Sequence, residues 1–168
     1  GGWIVASSRN GPAGDHGATF DIYLPRCLEA PTPPRTTGQA LGSVCRGTVL
    51  VVEDEPVVAG VARAFLEKSG CSVLSAGDGS AAMAILQEEH ANIGLVLLDM
   101  TMPGMTTSEI VHAIRSLDPA LPILLSSGNT SSGIVEDLLE AGAVQGFLEK
   151  PYTLAQLTDR VMSLIRSM

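Results

Sequence analysis

A short apolar run that ends in a single carboxylate is the feature that most restricts the fold of this chain. Residues 95–98 read Leu-Val-Leu-Leu, Asp99 follows, and Met-Thr-Met-Pro-Gly comes next. A continuous apolar run this short is typical of a strand buried on both faces, as in a parallel sheet. Proline and glycine then turn the chain. The pattern places Asp99 at the carboxyl end of a central strand, where open α/β sheets carry their binding sites.

The same alternation of buried strand and amphipathic helix repeats through residues 47–168. Each apolar run is followed by a helical pattern, and Pro56, Gly70, Asp78, Thr106 and Gly142 supply helix start or stop signals. The runs that predict strands are 48–52, 71–75, 95–99, 121–125 and 144–148. Five β-α units in one domain predict a doubly wound five-stranded parallel sheet. By analogy with flavodoxin-like folds, the strand order within this domain is 2-1-3-4-5.

Residues 1–46 have a different composition. Residues 3–7 and 18–25 read as two strands of a β-hairpin, joined by a loop rich in glycine. Residues 26–46 contain several prolines and glycines without any hydrophobic period, so we expect a flexible linker. The sequence therefore divides into a hairpin (1–25), a linker (26–46) and an α/β domain (47–168).

The distribution of charge excludes some functions. The 168 residues carry a net charge of −8, and the ten basic residues are outnumbered by eighteen acidic ones. Nucleic-acid binding is not expected, because neutralising phosphates needs clustered lysine and arginine. No apolar run is long enough for a membrane span. The cysteines (Cys27, Cys45 and Cys71) lack metal-type spacing, so we expect reduced thiols and a cytoplasmic location.

The predicted strand order brings together polar residues from four strand ends. Glu53 and Asp54 follow the first strand of the domain, Asp99 ends the third, Ser126 follows the fourth and Lys150 the fifth. Carboxylates that lie close together repel each other unless a cation intervenes, and oxygen ligands with a nearby phosphate suit Mg²⁺. A cation, an ammonium and a hydroxyl can each partner one oxygen of a transferring phosphoryl group. Asp99 itself can be the nucleophile.

This combination closely resembles the receiver domain of two-component response regulators. The resemblance covers residues 47–168 and rests on four motifs in order: Val-Val-Glu-Asp-Glu, Leu-Leu-Asp-Met-Thr-Met-Pro-Gly-Met, Ile-Leu-Leu-Ser-Ser-Gly and Phe-Leu-Glu-Lys-Pro. It implies that Asp99 is the phosphoacceptor. It also implies that Asp54 binds Mg²⁺ directly, that Glu53 binds it mainly through water, and that Thr101 offers its backbone carbonyl to the ion.

The resemblance further implies a switch. Ser126 would hydrogen-bond the phosphoryl group, Lys150 would pair with it, and Phe147 would turn inward when the serine moves. The neighbouring Ser127 is the alternative hydroxyl, but the apolar run ends at Leu125, which favours Ser126. Pro151 is expected to follow a cis peptide bond, a state that requires proline. Phosphorylation would then alter the face formed by the fourth helix, fifth strand and fifth helix of the domain.

Residues 1–25 resemble the last two strands of the ATP-binding domain of a sensor histidine kinase, through Gly-Ala-Thr-Phe at 17–20 and Ile-Tyr-Leu-Pro at 22–25. The two resemblances together imply a piece of a hybrid sensor histidine kinase, whose receiver accepts phosphate from a phosphohistidine domain in cis or trans. A histidine phosphotransfer protein is a further expected partner, and a homodimer stays open. The ATP-binding motifs of the family are otherwise absent, so this chain is expected to catalyse only its own aspartyl phosphorylation.

Two other functions remain open. One is a phosphatase-like hydrolase with an Asp nucleophile, although that chemistry commonly uses a second acid where Thr101 stands. The other is a receiver-like interaction module that no longer signals.

Overall fold

The computed structural model describes residues 2–10, 16–24, 47–128 and 133–165. These residues fall into two compact units, one on each side of residue 40, and each is considered by itself. The predicted linker at 26–46 lies outside the described residues. In the described part of the chain, we find no helix with both the length and the apolar character needed to cross a bilayer.

The first unit is a two-stranded antiparallel hairpin. Strand β1, Trp3–Asn10, is longer than the sequence predicts, and strand β2, His16–Tyr23, begins and ends two residues earlier than predicted. Trp3 pairs with Tyr23. The rings of these two residues stack with centroids 5.0 Å apart. Because side chains alternate along a strand, one face carries mainly apolar residues, all of them exposed within this unit: Ile4, Ala6, Phe20 and Ile22.

The second unit alternates five strands with five helices, as the sequence predicts. The strands are β3 (Thr48–Val52), β4 (Ser72–Ala76), β5 (Ile93–Asp99), β6 (Ile123–Ser127) and β7 (Gly146–Glu149). The helices are α1 (Pro56–Lys68), α2 (Gly79–Glu89), α3 (Thr107–Leu117), α4 (Gly133–Glu140) and α5 (Leu154–Leu164). A single 3₁₀ turn, His90–Asn92, follows α2.

The sheet order is β4-β3-β5-β6-β7, and all four pairings are parallel. Counted within the domain, this is the predicted order 2-1-3-4-5. Every residue of β5 is buried, as expected for a central strand covered on both faces. The predicted fold class is therefore confirmed.

Helices cover both faces of the sheet and form two hydrophobic layers. One layer packs α2 and α3 against the sheet through Leu86, Ile110 and Ile114, together with Leu98 and Leu125. The other packs α1 and α5 through Leu66 and Leu157, together with Leu97 and Leu124. Each fully buried leucine or isoleucine stabilises the fold by about 1.5–3 kcal/mol relative to its exposed state. Consecutive residues of β5 and β6 thus contribute to opposite layers.

Local sequence signals set the helix ends. The Thr106 hydroxyl accepts a hydrogen bond from the backbone N–H of Glu109, whose carboxylate accepts one from the backbone N–H of Thr106, which is a capping box. Thr153 and Gln156 form the same arrangement at α5. Pro56 occupies the first turn of α1. Gly142, with φ of +65°, follows α4, because glycine adopts this left-handed conformation without strain.

One prediction about cysteine chemistry is wrong. Cys71, which lies between α1 and β4, is disulfide-bonded in the structure, so it is not the reduced thiol expected from the spacing. Cys27 and Cys45 lie outside the described residues. Sequence spacing excluded a metal motif but had no power to exclude a disulfide, because pairing depends on distances in the folded chain.

Candidate functional site

The polar residues at the carboxyl ends of β3, β5 and β7 meet at one edge of the sheet. Glu53 and Asp54 directly follow β3, Asp99 is the last residue of β5, and Lys150 directly follows β7. Carboxyl ends of parallel strands share an edge, so the sheet order alone explains the juxtaposition. The structure brings together Glu53, Asp54, Asp99 and Lys150 as the sequence predicts. Ser126, which was expected to follow the fourth strand, lies within β6.

Three carboxylates form the acidic part of the site. Glu53, Asp54 and Asp99 each offer one oxygen, and these oxygens lie within 4.8 Å of one another. Asp99 is 2% exposed and Glu53 is 7% exposed, whereas Asp54 is exposed to solvent. Two buried acids beside a solvent-facing one make a pocket of negative charge that is open on one side.

Lys150 partly compensates this charge. Its ammonium Nζ lies 2.6 Å from Oε2 of Glu53 and 3.0 Å from Oδ1 of Asp99. The backbone N–H of Lys150 donates to the carbonyl of Ser127, which fixes the start of the loop after β7. The Lys150–Pro151 peptide bond is cis, as the resemblance implies. The lysine side chain is therefore held over both buried carboxylates.

Burial and charge shift the pKa values of these groups. Burial raises the pKa of Glu53, and the nearby charge of Asp99 acts in the same direction, while the hydrogen bond from Lys150 opposes them. Burial alone would lower the pKa of Lys150, but its hydrogen bonds and ion pairs with Glu53 and Asp99 outweigh that effect and raise it. The cluster thus keeps Lys150 charged, while burial disfavours ionisation of Glu53.

The donor set fits a hard divalent cation. All three ligand candidates are carboxylates, and Mg²⁺ prefers oxygen ligands and keeps some of its water, which an open pocket allows. Asp99 Oδ1 is buried and, apart from the Lys150 ion pair, has no hydrogen-bond partner among the described residues. A buried oxygen with unused acceptor capacity is what a cation ligand requires.

Thr101 contributes to the site in a way that the sequence does not reveal. Its hydroxyl Oγ1 donates a hydrogen bond of 2.8 Å to Oδ2 of Asp99. The resemblance assigns only the backbone carbonyl of this residue. Its position two residues after the buried carboxylate, with a β-branched hydroxyl, is the signal that could have indicated the contact.

The two neighbouring serines lie on opposite faces of the sheet. Ser126 pairs with Asp99 across β5 and β6, and both side chains alternate toward the layer of α1 and α5. Phe147 packs against the other layer, and Ser127 alternates toward that same side. Both serines are buried. The expected coupling of Ser126 to Phe147 therefore does not fit the register, which instead brings Ser127 onto the face of Phe147.

An open cleft of about 640 Å³ gives access to the acidic cluster. Its wall includes all three acids, Lys150 and Thr101, together with Glu55, Pro56, Val58 and Gly128. Among the described residues, Asp99 lines this cleft together with Lys150 and Thr101. Beside it lies an apolar groove lined by Val57, Val58, Val61, Pro151 and Tyr152.

A doubly wound sheet with this acidic cluster, buried aspartate and lysine at its carboxyl edge defines a receiver-type signalling domain. The family model described as response regulator receiver domain matches residues 49–162, and the chain belongs to that family. Such domains occur in two-component systems, including hybrid kinases.

Comparisons with individual proteins agree. The chain is 36% identical over 122 residues to the probable transcriptional regulatory protein TcrX of Mycobacterium tuberculosis, which covers 71% of this chain and 50% of TcrX. It is 32% identical to the sensor kinase CckA of Brucella abortus over 98% of this chain and 18% of CckA. A CheX–CheY–BeF3–Mg²⁺ complex from Borrelia burgdorferi matches 70% of this chain and 87% of that chain, with 28% identity and a TM-score of 0.65. The matched part of the chain thus spans half of TcrX and about a fifth of CckA.

Proposed function

We propose that this chain is a phosphoacceptor receiver of a two-component phosphorelay, in which Asp99 accepts a phosphoryl group from a phosphohistidine. The observation that carries the proposal is the buried Asp99 carboxylate, whose oxygens contact Lys150 and Thr101 beside two further acids. A nucleophile, a fixed positive charge and a candidate cation site around one oxygen are the parts that phosphoryl transfer needs.

Each residue of the site would have a separate role. Asp54, which faces solvent, would hold Mg²⁺ with Asp99 and the Thr101 carbonyl, and Glu53 would contact it through water. A bound Mg²⁺ would supply positive charge to the carboxylates and to the phosphoryl oxygens. Lys150 is already 3.0 Å from Asp99 and is placed to pair with a phosphoryl oxygen there. The Borrelia relative, whose complex contains BeF3 and Mg²⁺, supports this arrangement.

The partner is expected to be a histidine kinase domain or a histidine phosphotransfer protein. The similarity to CckA extends over residues before the receiver, which supports the proposal that residues 1–25 are the terminal hairpin of a kinase ATP-binding domain. The exposed side chains of Val57 and Val61 border the apolar groove beside the cleft. A donor protein that reaches Asp99 would rest on this groove, because burying exposed valines favours association.

Phosphorylation would be transmitted through the sheet to the face of α4, β7 and α5. The register supports Ser127 as the hydroxyl that couples to Phe147, because these two side chains share a face of the sheet. Ser126, opposite Asp99, is the residue placed to affect the nucleophile itself.

Incubation with acetyl phosphate and Mg²⁺, followed by intact-mass measurement, tests the proposal. We expect a lasting adduct of one phosphoryl group, which Asp99→Asn abolishes. Rapid turnover of acetyl phosphate without a lasting adduct would indicate the hydrolase instead. No adduct and no turnover would indicate an inert interaction module.

A further inference from the structure

The two oxygens of the Asp99 carboxylate have different neighbours. Oδ1 lies 3.0 Å from the ammonium of Lys150, and Oδ2 accepts a hydrogen bond of 2.8 Å from the hydroxyl of Thr101. Lys150 is itself anchored by Glu53 at 2.6 Å. Each oxygen is thus assigned to one donor, and the Thr101 side chain is the contact that the proposed chemistry has not used.

The torsion of an aspartate about its Cβ–Cγ bond is weakly restricted, because it has only broad energy minima. A single contact from Lys150 leaves the carboxylate free to rotate about this bond or to turn both oxygens toward the ammonium. A second donor on the other oxygen defines the plane of the group. Threonine suits this task, because its branched Cβ restricts the first side-chain torsion and so fixes the direction of the hydroxyl.

Resting on the proposed function, we propose that the Thr101 hydroxyl is a positioning group for phosphoryl transfer to Asp99. It holds the carboxylate in the orientation from which one oxygen attacks phosphorus. In that step a bond forms between an Asp99 oxygen and phosphorus, and the bond from phosphorus to the donor's imidazole nitrogen breaks. The electron pair leaves with the imidazole, and Thr101 keeps its own proton throughout.

Two substitutions separate the hydroxyl from the rest of the residue. Thr101→Val keeps the branched shape and the backbone carbonyl and removes only the hydroxyl, and Thr101→Ser keeps the hydroxyl and removes a methyl group. We expect Thr101→Val to lower the rate of adduct formation from acetyl phosphate by about tenfold, the effect of losing one hydrogen bond to a charged group. Thr101→Ser should stay within about threefold of the original rate, since the donor is retained.

Two further measurements distinguish positioning from a structural or metal-binding role. The affinity for Mg²⁺, measured by calorimetry without a phosphoryl donor, should change by less than about threefold in Thr101→Val, because no ligand atom is removed. In the Mg²⁺-free protein, the carbon-13 shift of the Asp99 carboxyl carbon should move in the valine variant and return in the serine variant.

Several outcomes would overturn the inference. They are an unchanged or faster reaction in Thr101→Val, a parallel loss of Mg²⁺ affinity, or a serine variant as slow as the valine variant. Failure of the proposed function has a different signature, because the unsubstituted chain would then form no adduct at all. An adduct in the unsubstituted chain with no difference between the variants rejects only the role of Thr101.

Discussion

The ammonium of Lys150 lies 2.6 Å from a carboxylate oxygen of Glu53, although the two residues come from the loops after β7 and β3. The glutamate side chain is 6% exposed and that of the lysine is 19% exposed. This ion pair, extended to Asp99, links an edge strand of the sheet to its centre. It also makes the lysine a structural member of the resting site as well as a candidate ligand of the phosphoryl group.

Removal of Lys150 should therefore affect stability in a way that Mg²⁺ reverses. Lys150→Met leaves two buried carboxylates without their cation, and we expect the free energy of unfolding to fall by about 2–3 kcal/mol. Added Mg²⁺ should raise the unfolding temperature of this variant more than that of the unsubstituted protein. Thermal unfolding with and without Mg²⁺ measures both. Equal Mg²⁺ stabilisation of the two proteins would contradict this account.

The register between β6 and β7 leads to a comparison of two adjacent serines. Ser127→Ala should uncouple Phe147 from phosphorylation, because Ser127 and Phe147 share a face of the sheet. Ser126→Ala, the matched control, should leave that coupling in place. Resonances of the Phe147 ring, recorded before and after reaction with acetyl phosphate, report the change. The opposite result, with only Ser126→Ala uncoupled, would restore the assignment made from the sequence.

The apolar groove beside the cleft predicts a difference between protein and small-molecule donors. Val57 is 72% exposed at the rim of the groove. Val57→Asn should slow transfer from a phosphorylated histidine kinase domain by about tenfold, which corresponds to about 1.4 kcal/mol of lost association. Phosphorylation by acetyl phosphate, which needs no groove, should stay nearly unchanged. Leu117→Asn, at an exposed position at the end of α3, is the control, and equal slowing by both variants would argue against docking at the groove.

Two glycines in helices should respond oppositely to the same substitution. A Cβ at Gly79, at the start of α2, would lie 2.9 Å from Cδ1 of Ile110 and 3.1 Å from the sulfur of Met105. Gly79→Ala should therefore destabilise the domain by about 1–3 kcal/mol through overpacking. A Cβ at Gly60, inside α1, meets nothing within 4 Å, so Gly60→Ala should stabilise by up to about 1 kcal/mol. Urea unfolding measures both, and changes of the same sign would contradict the packing described.

The capping box of α3 predicts a pH dependence. Hydrogen bonds from the backbone N–H and the hydroxyl of Thr106 lower the pKa of Glu109 below its ordinary value of 4.5. A carboxyl group with a lowered pKa stabilises the fold at pH values above its ordinary pKa. This contribution is lost as the pH falls through the lowered pKa. At pH 7 the urea midpoint of the original protein should exceed that of Glu109→Gln. The difference between the two midpoints should shrink as the pH falls below 4.5, the ordinary pKa of a glutamate. A gap that does not vary with pH would exclude this titration as its origin.

Much of the fold follows from the sequence because its signals are local and repeated. Apolar runs, the capping residue Thr106 and the stop at Gly142 predict the strands, the helices and their sequence order. The sheet order then brings Asp99, Glu53 and Asp54 together. The sheet order that locates the acidic cluster rests on analogy with flavodoxin-like folds and not on a local signal. The individual roles of Asp54, Thr101 and Lys150 in phosphoryl transfer stay predictions.

The sequence predicts less well which face of the sheet each side chain occupies. In β6 every residue is buried, so its apolar pattern contains no alternation that would tell Ser126 from Ser127. The end of the apolar run at Leu125 favoured Ser126, but that criterion measures position along the strand and not direction across the sheet. The disulfide at Cys71 depends on distances in the folded chain, which no local pattern encodes. The Thr101 hydroxyl contact has a local signal, because this residue lies two positions after Asp99.

The parallel pairing of β3 with β5 has a consequence for synthesis of the chain. The acids after β3 leave the ribosome long before Asp99, and Lys150 follows only after β6 and α4. Because β6 lies between β5 and β7, Lys150 reaches the acids only after β6 and β7 have joined the sheet. A nascent or truncated chain that ends before β7 lacks the counter-charge for its own acids. The full charge pattern of the site therefore forms only when β7 has joined the sheet.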